Sequence, residues 1–189
     1  MYPSTVWWRN HTIRARWMRP WKYFVPTASW SSPLRVIITR VLTGILFPPA
    51  NDPFVITVGA TDEKGTLPIL DDTLTSFSAY GKMSDGFSKP ELVAPCKNII
   101  APLSSGGVEL AKAHPSNLVN GHNDYFRMSG TSMSAPMVAA GVALLLQANP
   151  ILTPDQVMFR LMATANKGWA GFHPAKAGAG YLDIFAAVN

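Results

Sequence analysis

Gly130-Thr131-Ser132-Met133-Ser134-Ala135-Pro136 is the stretch of this chain whose residue types and order could carry chemistry. It opens a run from Ser132 to Ala148 that is almost entirely apolar, which reads as a helix buried all round. A serine at the head of such a helix sits where unpaired backbone N–H groups and the positive helix end converge. That field favours an oxyanion developing beside the hydroxyl, so Ser132 is a candidate nucleophile for acyl transfer. Gly130 would let a substrate backbone approach closely. The plainer alternative is a serine that caps a core helix, and a bare Gly-Thr-Ser would favour that reading. Pro136 is expected in the first turn, where a missing N–H does little harm.

A serine hydroxyl is a poor nucleophile without a base, and the base needs an orienting carboxylate. The chain has four histidines, His11, His114, His122 and His173, each read by default as a solvated loop residue. Cys96 is the only cysteine, which excludes an internal disulfide and a cysteine-rich metal site. Only Lys97 lies close enough in sequence to activate it, so it reads as a small buried hydrophobe. No Asp/Asn cluster has the spacing of a calcium loop.

The elements that would position Ser132 are legible on both sides of it. Phe54-Val55-Ile56-Thr57-Val58, followed by Gly59, reads as a buried strand, apolar on both faces as parallel strands are. Glu91 to Pro95 and Asn98 to Ala101 read as two short extended segments around a turn. The polar stretch between Gly106 and Asp124 has no periodicity and reads as a surface loop. Asn149-Pro150 ends the apolar helix. Thr153-Pro154-Asp155-Gln156 then opens another, with a Thr cap, Pro at the first helical position and Gln three residues after the cap.

The chain has 189 residues and a formal charge of +5, room for one ordinary domain. With 48% hydrophobic and 14% charged residues it is globular rather than disordered, collagenous or coiled-coil. The longest apolar run near the start, Val36 to Phe47, is broken by Arg40 and falls short of a membrane span. Charge is unevenly distributed. Residues 1–51 hold seven Lys/Arg, five of the six tryptophans and no Asp or Glu, whereas residues 52–189 hold nine Lys/Arg against eleven Asp/Glu. The basicity therefore belongs to about a quarter of the chain and argues neither for a nucleic-acid partner nor for a membrane. The first segment has no apolar stretch leading to a small-residue cleavage site, so it does not read as an export signal.

The string from Gly130 to Val157 resembles the nucleophile helix of the subtilisin-like serine proteases, whose signature is Gly-Thr-Ser-Met-Ala/Ser-x-Pro. Further matches follow in family order. Pro48 to Asp62 resembles the strand that precedes the last third of that fold. Phe77-Ser78 with Gly81, then Lys89-Pro90-Glu91-Leu92-Val93-Ala94-Pro95, resembles its Ser-Phe-Ser…Pro-Glu-Leu…Ala-Pro-Gly segment, with Cys96 where the family has Gly. Ala177 to Val188 resembles its closing segment. The resemblance implies an α/β, three-layer subtilisin-like fold with a parallel sheet, represented here by its C-terminal part over residues 48–189. It implies that Ser132 is the acylating nucleophile of a serine endopeptidase acting on peptides or proteins. No cofactor is needed for that chemistry, structural calcium is allowed by family analogy alone, and the family is usually secreted.

In this family the order is Asp, His, then Ser, and none of the four histidines stands in the family's His-Gly-Thr context. The Ala-Gly-Asn segment that supplies the side-chain oxyanion donor is also not found. Loss of such a histidine costs about six orders of magnitude in turnover, and loss of the asparagine about two to three. The chain by itself is therefore expected to be close to inactive, unless a separate upstream fragment supplies the Asp and His. The alternative is a non-catalytic fragment that binds anionic partners through its basic start.

The odd composition of residues 1–47 has an explanation in the genetic code. In the frame that joins the last base of each codon to the next two, Trp7-Trp8 must give Val, Trp17-Met18 Asp and Trp21-Lys22 Glu. Thr27 to Ile37 can then read as an apolar strand ending in Ala-Gly-Asn, resembling the family's oxyanion-hole strand. The third frame puts Gly at all three pairs. Residues 1 to about 45 are thus expected to be a frame-shifted translation of a subtilisin-like gene.

Overall fold

The computed structural model describes the backbone of residues 35–38 and, in full, residues 50, 52–83, 86–104, 109–119 and 124–189. The chain divides into two compact units, 1–33 and 34–189, and all described residues belong to the second. Its strands and helices run β1 (Arg35–Ile38), β2 (Val55–Asp62), β3 (Thr73–Leu74), β4 (Gly81–Lys82), β5 (Ser88–Lys89), β6 (Leu92–Pro95), β7 (Ile99–Pro102), α1 (Glu109–Ala113), β8 (Tyr125–Met128), α2 (Thr131–Ala148), α3 (Pro154–Thr164), α4 (Pro174–Ala177) and α5 (Ile184–Val188). Short 3-10 turns lie at Ile69–Asp71 and Pro115–Asn117.

β2 is the axis of the sheet. It pairs in parallel with β1 (Arg35 opposite Val55) and with β6 (Val58 opposite Leu92), and its end pairs antiparallel with β3. Val55 to Thr61 are all buried, as expected for a parallel strand covered on both faces. Two boundaries differ from the sequence reading. Phe54 stays outside the strand and 62% exposed, and the strand runs on through Gly59 to Asp62. Gly59 is not a stop signal but a close-packing residue, since a Cβ there would lie 2.9 Å from both Ser78 Oγ and Val93 Cγ1.

Alternation along the strands separates two cores. Ile56, Val58, Leu92 and Ala94 face α2, α3 and α5 through Val138, Val142, Leu145, Val157, Leu161 and Ala187. Val93 faces the opposite way, into Trp169, Tyr181 and Ala177. The segment around Tyr181 is stitched to β6 by Val93 N–H to the Gly180 carbonyl and Leu182 N–H to the Val93 carbonyl, each 2.9 Å.

A buried ion pair ties the start of β2 to the approach to β6. Lys89 is 1% exposed; its ammonium pairs with Glu91 and donates to the Val55 carbonyl at 2.8 Å. Glu91 in turn accepts the Thr57 N–H at 2.6 Å. Burial pushes the Glu91 carboxyl upward, against the pull of the Lys89 ammonium. The carboxylate and the ammonium thus hydrogen-bond backbone groups of β2 as well as each other, which is what a buried pair requires.

The Thr153 cap is a full capping box. Gln156 N–H donates to Thr153 Oγ1 at 3.3 Å, and Thr153 N–H donates to Gln156 Oε1 at 2.9 Å. The extended segments before and after Cys96 are β6 and β7, with Asn98 at φ 55° between them. Three expectations are corrected. The polar stretch 106–124 contains α1 and a 3-10 turn, because Glu109-Leu110-Ala111-Lys112-Ala113 is a short run of good helix formers. Pro136 falls in the second turn of α2 rather than the first, since the helix starts at Thr131; it withholds the amide that would pair with the Ser132 carbonyl. And α2 is not buried all round: Ala139, Ala140, Ala143 and Leu144 are exposed, Leu144 by 49%.

Candidate active site

Ser132 is the second residue of α2 and is exposed, whereas Thr131 and Ser134 on either side of it are buried. Helical geometry alone produces this contrast, because residues one and two apart on a helix face different directions. Ser134 Oγ donates to the Ala94 carbonyl at 3.1 Å and anchors the first turn to β6. Gly130 N–H donates to the Cys96 carbonyl at 3.1 Å, and Asn98 N–H donates to Ser129 Oγ at 2.9 Å. The head of the helix is thus pinned at three points, one within β6 at Ala94 and two just past its C-terminal end at Cys96 and Asn98.

Among the described residues no side chain caps α2; Met133 N–H donates to the Gly130 carbonyl at 2.8 Å, and the positive end of the helix lies beside Ser132. Gly130 stands at φ 154°, a conformation L side chains rarely adopt, and a Cβ there would meet nothing closer than 3.9 Å. Backbone conformation, not crowding, requires glycine, and the backbone beside Ser132 is open to an approaching chain. An exposed hydroxyl beside the positive end of an 18-residue helix is an arrangement in which negative charge on a carbonyl oxygen would be stabilised.

Cys96 lies behind this site, fully buried. Burial is the main cause that raises its thiol from 9.0 to about 11, with the Glu63 charge adding to it. It is therefore a neutral, inert packing group, as its sequence context suggested. His114 and His173 are both exposed, in the segments that lead into the 3-10 turn and α4. Ser132 Oγ makes no hydrogen bond to either, nor to any other described residue. His11 and His122 lie outside the described residues. A calcium site would need several oxygens around one point. Among the described residues no group of three or more His, Cys, Asp or Glu converges in that way.

The sequence reading missed the Lys89–Glu91 pair and a polar group at the end of β2. There the Tyr181 hydroxyl stands near both Thr61 and Asp72, and burial raises Asp72 and Tyr181 alike. A lysine and a glutamate flanking a proline carry no sign of burial in sequence. The one available signal was their position directly before the apolar run Leu92-Val93-Ala94.

Residues 26–181 match the model of the subtilase family, and the chain belongs to that family. The match starts upstream of residue 48, from which the motifs are legible. The chain is 38% identical over 159 residues to the serine protease AprX of Bacillus subtilis, covering 82% of this chain and 35% of AprX. It is 32% identical over 145 residues to mycosin-1 of Mycobacterium tuberculosis, covering 77% of this chain and 28% of mycosin-1. Among solved structures, fervidolysin from Fervidobacterium pennivorans, a keratinolytic enzyme related to subtilisin, aligns with TM-score 0.57 and 31% identity over 75% of this chain and 20% of its own. The prenylagaramide maturation protease PagA aligns with TM-score 0.55 and 27% identity over 77% of this chain and 46% of its own. The fold is therefore α/β and subtilisin-like, with a mixed rather than purely parallel sheet. The chain spans about a third of the length of the curated relatives it matches.

Proposed function

We propose that Ser132 is the acylating nucleophile of a subtilisin-like serine endopeptidase. Its Oγ would attack the carbonyl carbon of a peptide bond, and the C–N bond would break as the serine proton passes through a base to the leaving amine. Water would then release the acyl group by the reverse proton path. The observation that carries this reading is the exposed Ser132 hydroxyl at the uncapped head of a helix held in the core of a subtilase fold. Base and orienting carboxylate come, on this reading, from a polypeptide corresponding to the upstream part of the relatives, so the chain by itself turns over peptides poorly. The basic segment of residues 1–47 belongs to the same proposal as a frame-shifted translation, which the nucleotide sequence decides through Gly-Asn at the Val36–Ile37 junction. The alternative of an anionic partner bound by this segment rests on residues outside those described.

The test is co-expression with the product of the upstream reading frame, followed by a fluorophosphonate probe and a casein assay. Labelling and casein cleavage that appear with the second polypeptide and vanish in Ser132→Ala are expected. Rapid labelling of the chain alone would overturn the need for an external base. Cleavage that survives Ser132→Ala would overturn the nucleophile.

A further inference from the structure

Two carboxyl groups face each other at the far end of β2, and the proposed function does not use them. The β2–β3 ladder pairs Thr61 with Leu74 and Asp62 with Thr73, so the next step puts Glu63 opposite Asp72. Side chains two apart along a strand share a side, and directly opposed ones stand about 5 Å apart at Cβ. Thr61, Glu63 and Asp72 therefore gather on the side of the sheet where Leu74 packs with Val93, Trp169 and Tyr181. Asp62 falls on the other side and is paired with Lys97.

This group is buried and incomplete. Thr61 is 0% and Asp72 1% exposed. Thr61 Oγ1, Glu63 Oε1 and Asp72 Oδ1 are all buried oxygens without a hydrogen-bond partner. Among the described residues neither Glu63 nor Asp72 has an ion-pair partner. Burial is the main cause that raises both carboxyls, and the Asp72 charge adds to it at Glu63. The Tyr181 hydroxyl stands beside Thr61 and Asp72, and its ring meets Trp169 edge-on with 5.7 Å between centroids. Like charges opposed across a ladder are destabilising, and a buried acceptor without a donor costs stability. One positive ion among the three oxygens would remove both costs.

We infer that Thr61 Oγ1, Glu63 Oε1 and Asp72 Oδ1 form a divalent-cation site at the end of β2, and that calcium is the ion it takes. The donors are oxygens, with no nitrogen or sulfur among them, which selects a hard cation. Two carboxylates balance a double positive charge. Calcium accepts an irregular shell, whereas magnesium demands a near-ideal octahedron and gives up water reluctantly, which a buried site penalises. Two acidic ligands are few for a calcium site, so a dissociation constant of about 0.1–1 mM is expected. The site reaches the head of α2 through backbone alone. Cys96 N–H donates to the Thr61 carbonyl at 3.2 Å, and the Cys96 carbonyl accepts the Gly130 N–H at 3.1 Å. A cation here would steady the platform under Ser132 without touching the reacting groups, and the inference does not depend on the acyl-transfer reading.

The experiment melts the full chain in EDTA, in about 10 mM calcium chloride and in about 10 mM magnesium chloride, with sodium chloride added to equal ionic strength. Calcium is expected to raise the midpoint by at least about 3 °C over EDTA, and magnesium by less than half as much. Asp72→Asn removes a ligand and the repulsion together. Its midpoint in EDTA should equal or exceed that of the wild type, and calcium should no longer move it. Glu63→Gln should lose the calcium response in the same way, whereas Asp155→Asn, at an exposed position of α3, should keep it. Terbium excited through tryptophan should luminesce with the wild type, be displaced by calcium and stay dark with Asp72→Asn. No calcium shift in the wild type overturns the site, and so does an equal shift with magnesium. A full calcium shift retained in both Asp72→Asn and Glu63→Gln also overturns it, because the ion then binds elsewhere. An Asp72→Asn protein that melts lower than the wild type in EDTA and still responds to calcium would make the carboxylate a packing group instead.

Discussion

The two faces of α2 have opposite surroundings. Inward, Ser134, Val138, Val142 and Leu145 lie against β2, β6, α3 and α5. Outward, Ser132, Pro136, Ala139, Ala140, Ala143 and Leu144 are exposed. The inward face makes the position of Ser132 a property of the whole core rather than of its own neighbours. The outward face carries the hydroxyl and is where any base must reach it. The hydroxyl proposed to do chemistry and the one that anchors the helix are thus separated by two positions of sequence and by about 200° of helix.

That contrast can be broken first at the platform on which the inward face rests. Lys89→Met leaves the Glu91 carboxyl buried without its cation, and about 3–5 kcal/mol of stability should be lost, seen as a lowered urea midpoint. Adding Glu91→Gln should restore part of it. Next, the faces can be compared directly with one chemical change. Leu145→Ala, at a fully buried site, should cost about 2–5 kcal/mol. Leu144→Ala, one residue away and half exposed, should stay within about 0.5 kcal/mol; equal costs would mean that the outward face is covered in solution.

A finer comparison uses the two serines. Ser134→Ala removes the bond to the Ala94 carbonyl and should cost about 1–2 kcal/mol, whereas Ser132→Ala should leave the unfolding midpoint unchanged within about 0.5 kcal/mol. The smallest effect at neutral pH belongs to Cys96. Its thiol is raised from 9.0 to about 11 by burial, so the folded state holds the proton more tightly than the unfolded one. The resulting stability is fully present below pH 9 and is lost as pH rises through 11. Wild type and Cys96→Ala should therefore keep a constant difference in midpoint up to pH 9 and converge or cross above it. A constant difference to pH 11 would place the thiol in contact with solvent.

The sequence made much of this legible where local chemistry leaves a signature. Thr153-Pro154-Asp155-Gln156 announces its capping box because each bond in it joins residues three apart. Val55 to Val58 announces a buried strand because β-branched residues without alternation suit a strand covered on both faces. The reading failed where distant groups decide the outcome. Gly59 looks like a strand end until Ser78 and Val93 are brought against it, 19 and 34 residues away in the chain. Lys89 looks like a surface lysine until Val55 and Glu91 surround its ammonium. The apolar run after Ser132 looks like a helix buried on every side, because composition reports how apolar a face is and not whether anything covers it.

By itself, then, the sequence determined that an apolar helix begins at a Gly-Thr-Ser-Met motif within a subtilase, because those residues act through their own backbone and the next few neighbours. Only the tertiary structure decided that the Ser132 hydroxyl faces outward while Ser134 is locked to Ala94. Those outcomes depend on which way the helix is turned against the sheet, and that rotation is fixed by the sum of packing contacts from β2, β6, α3 and α5 rather than by any residue in the motif.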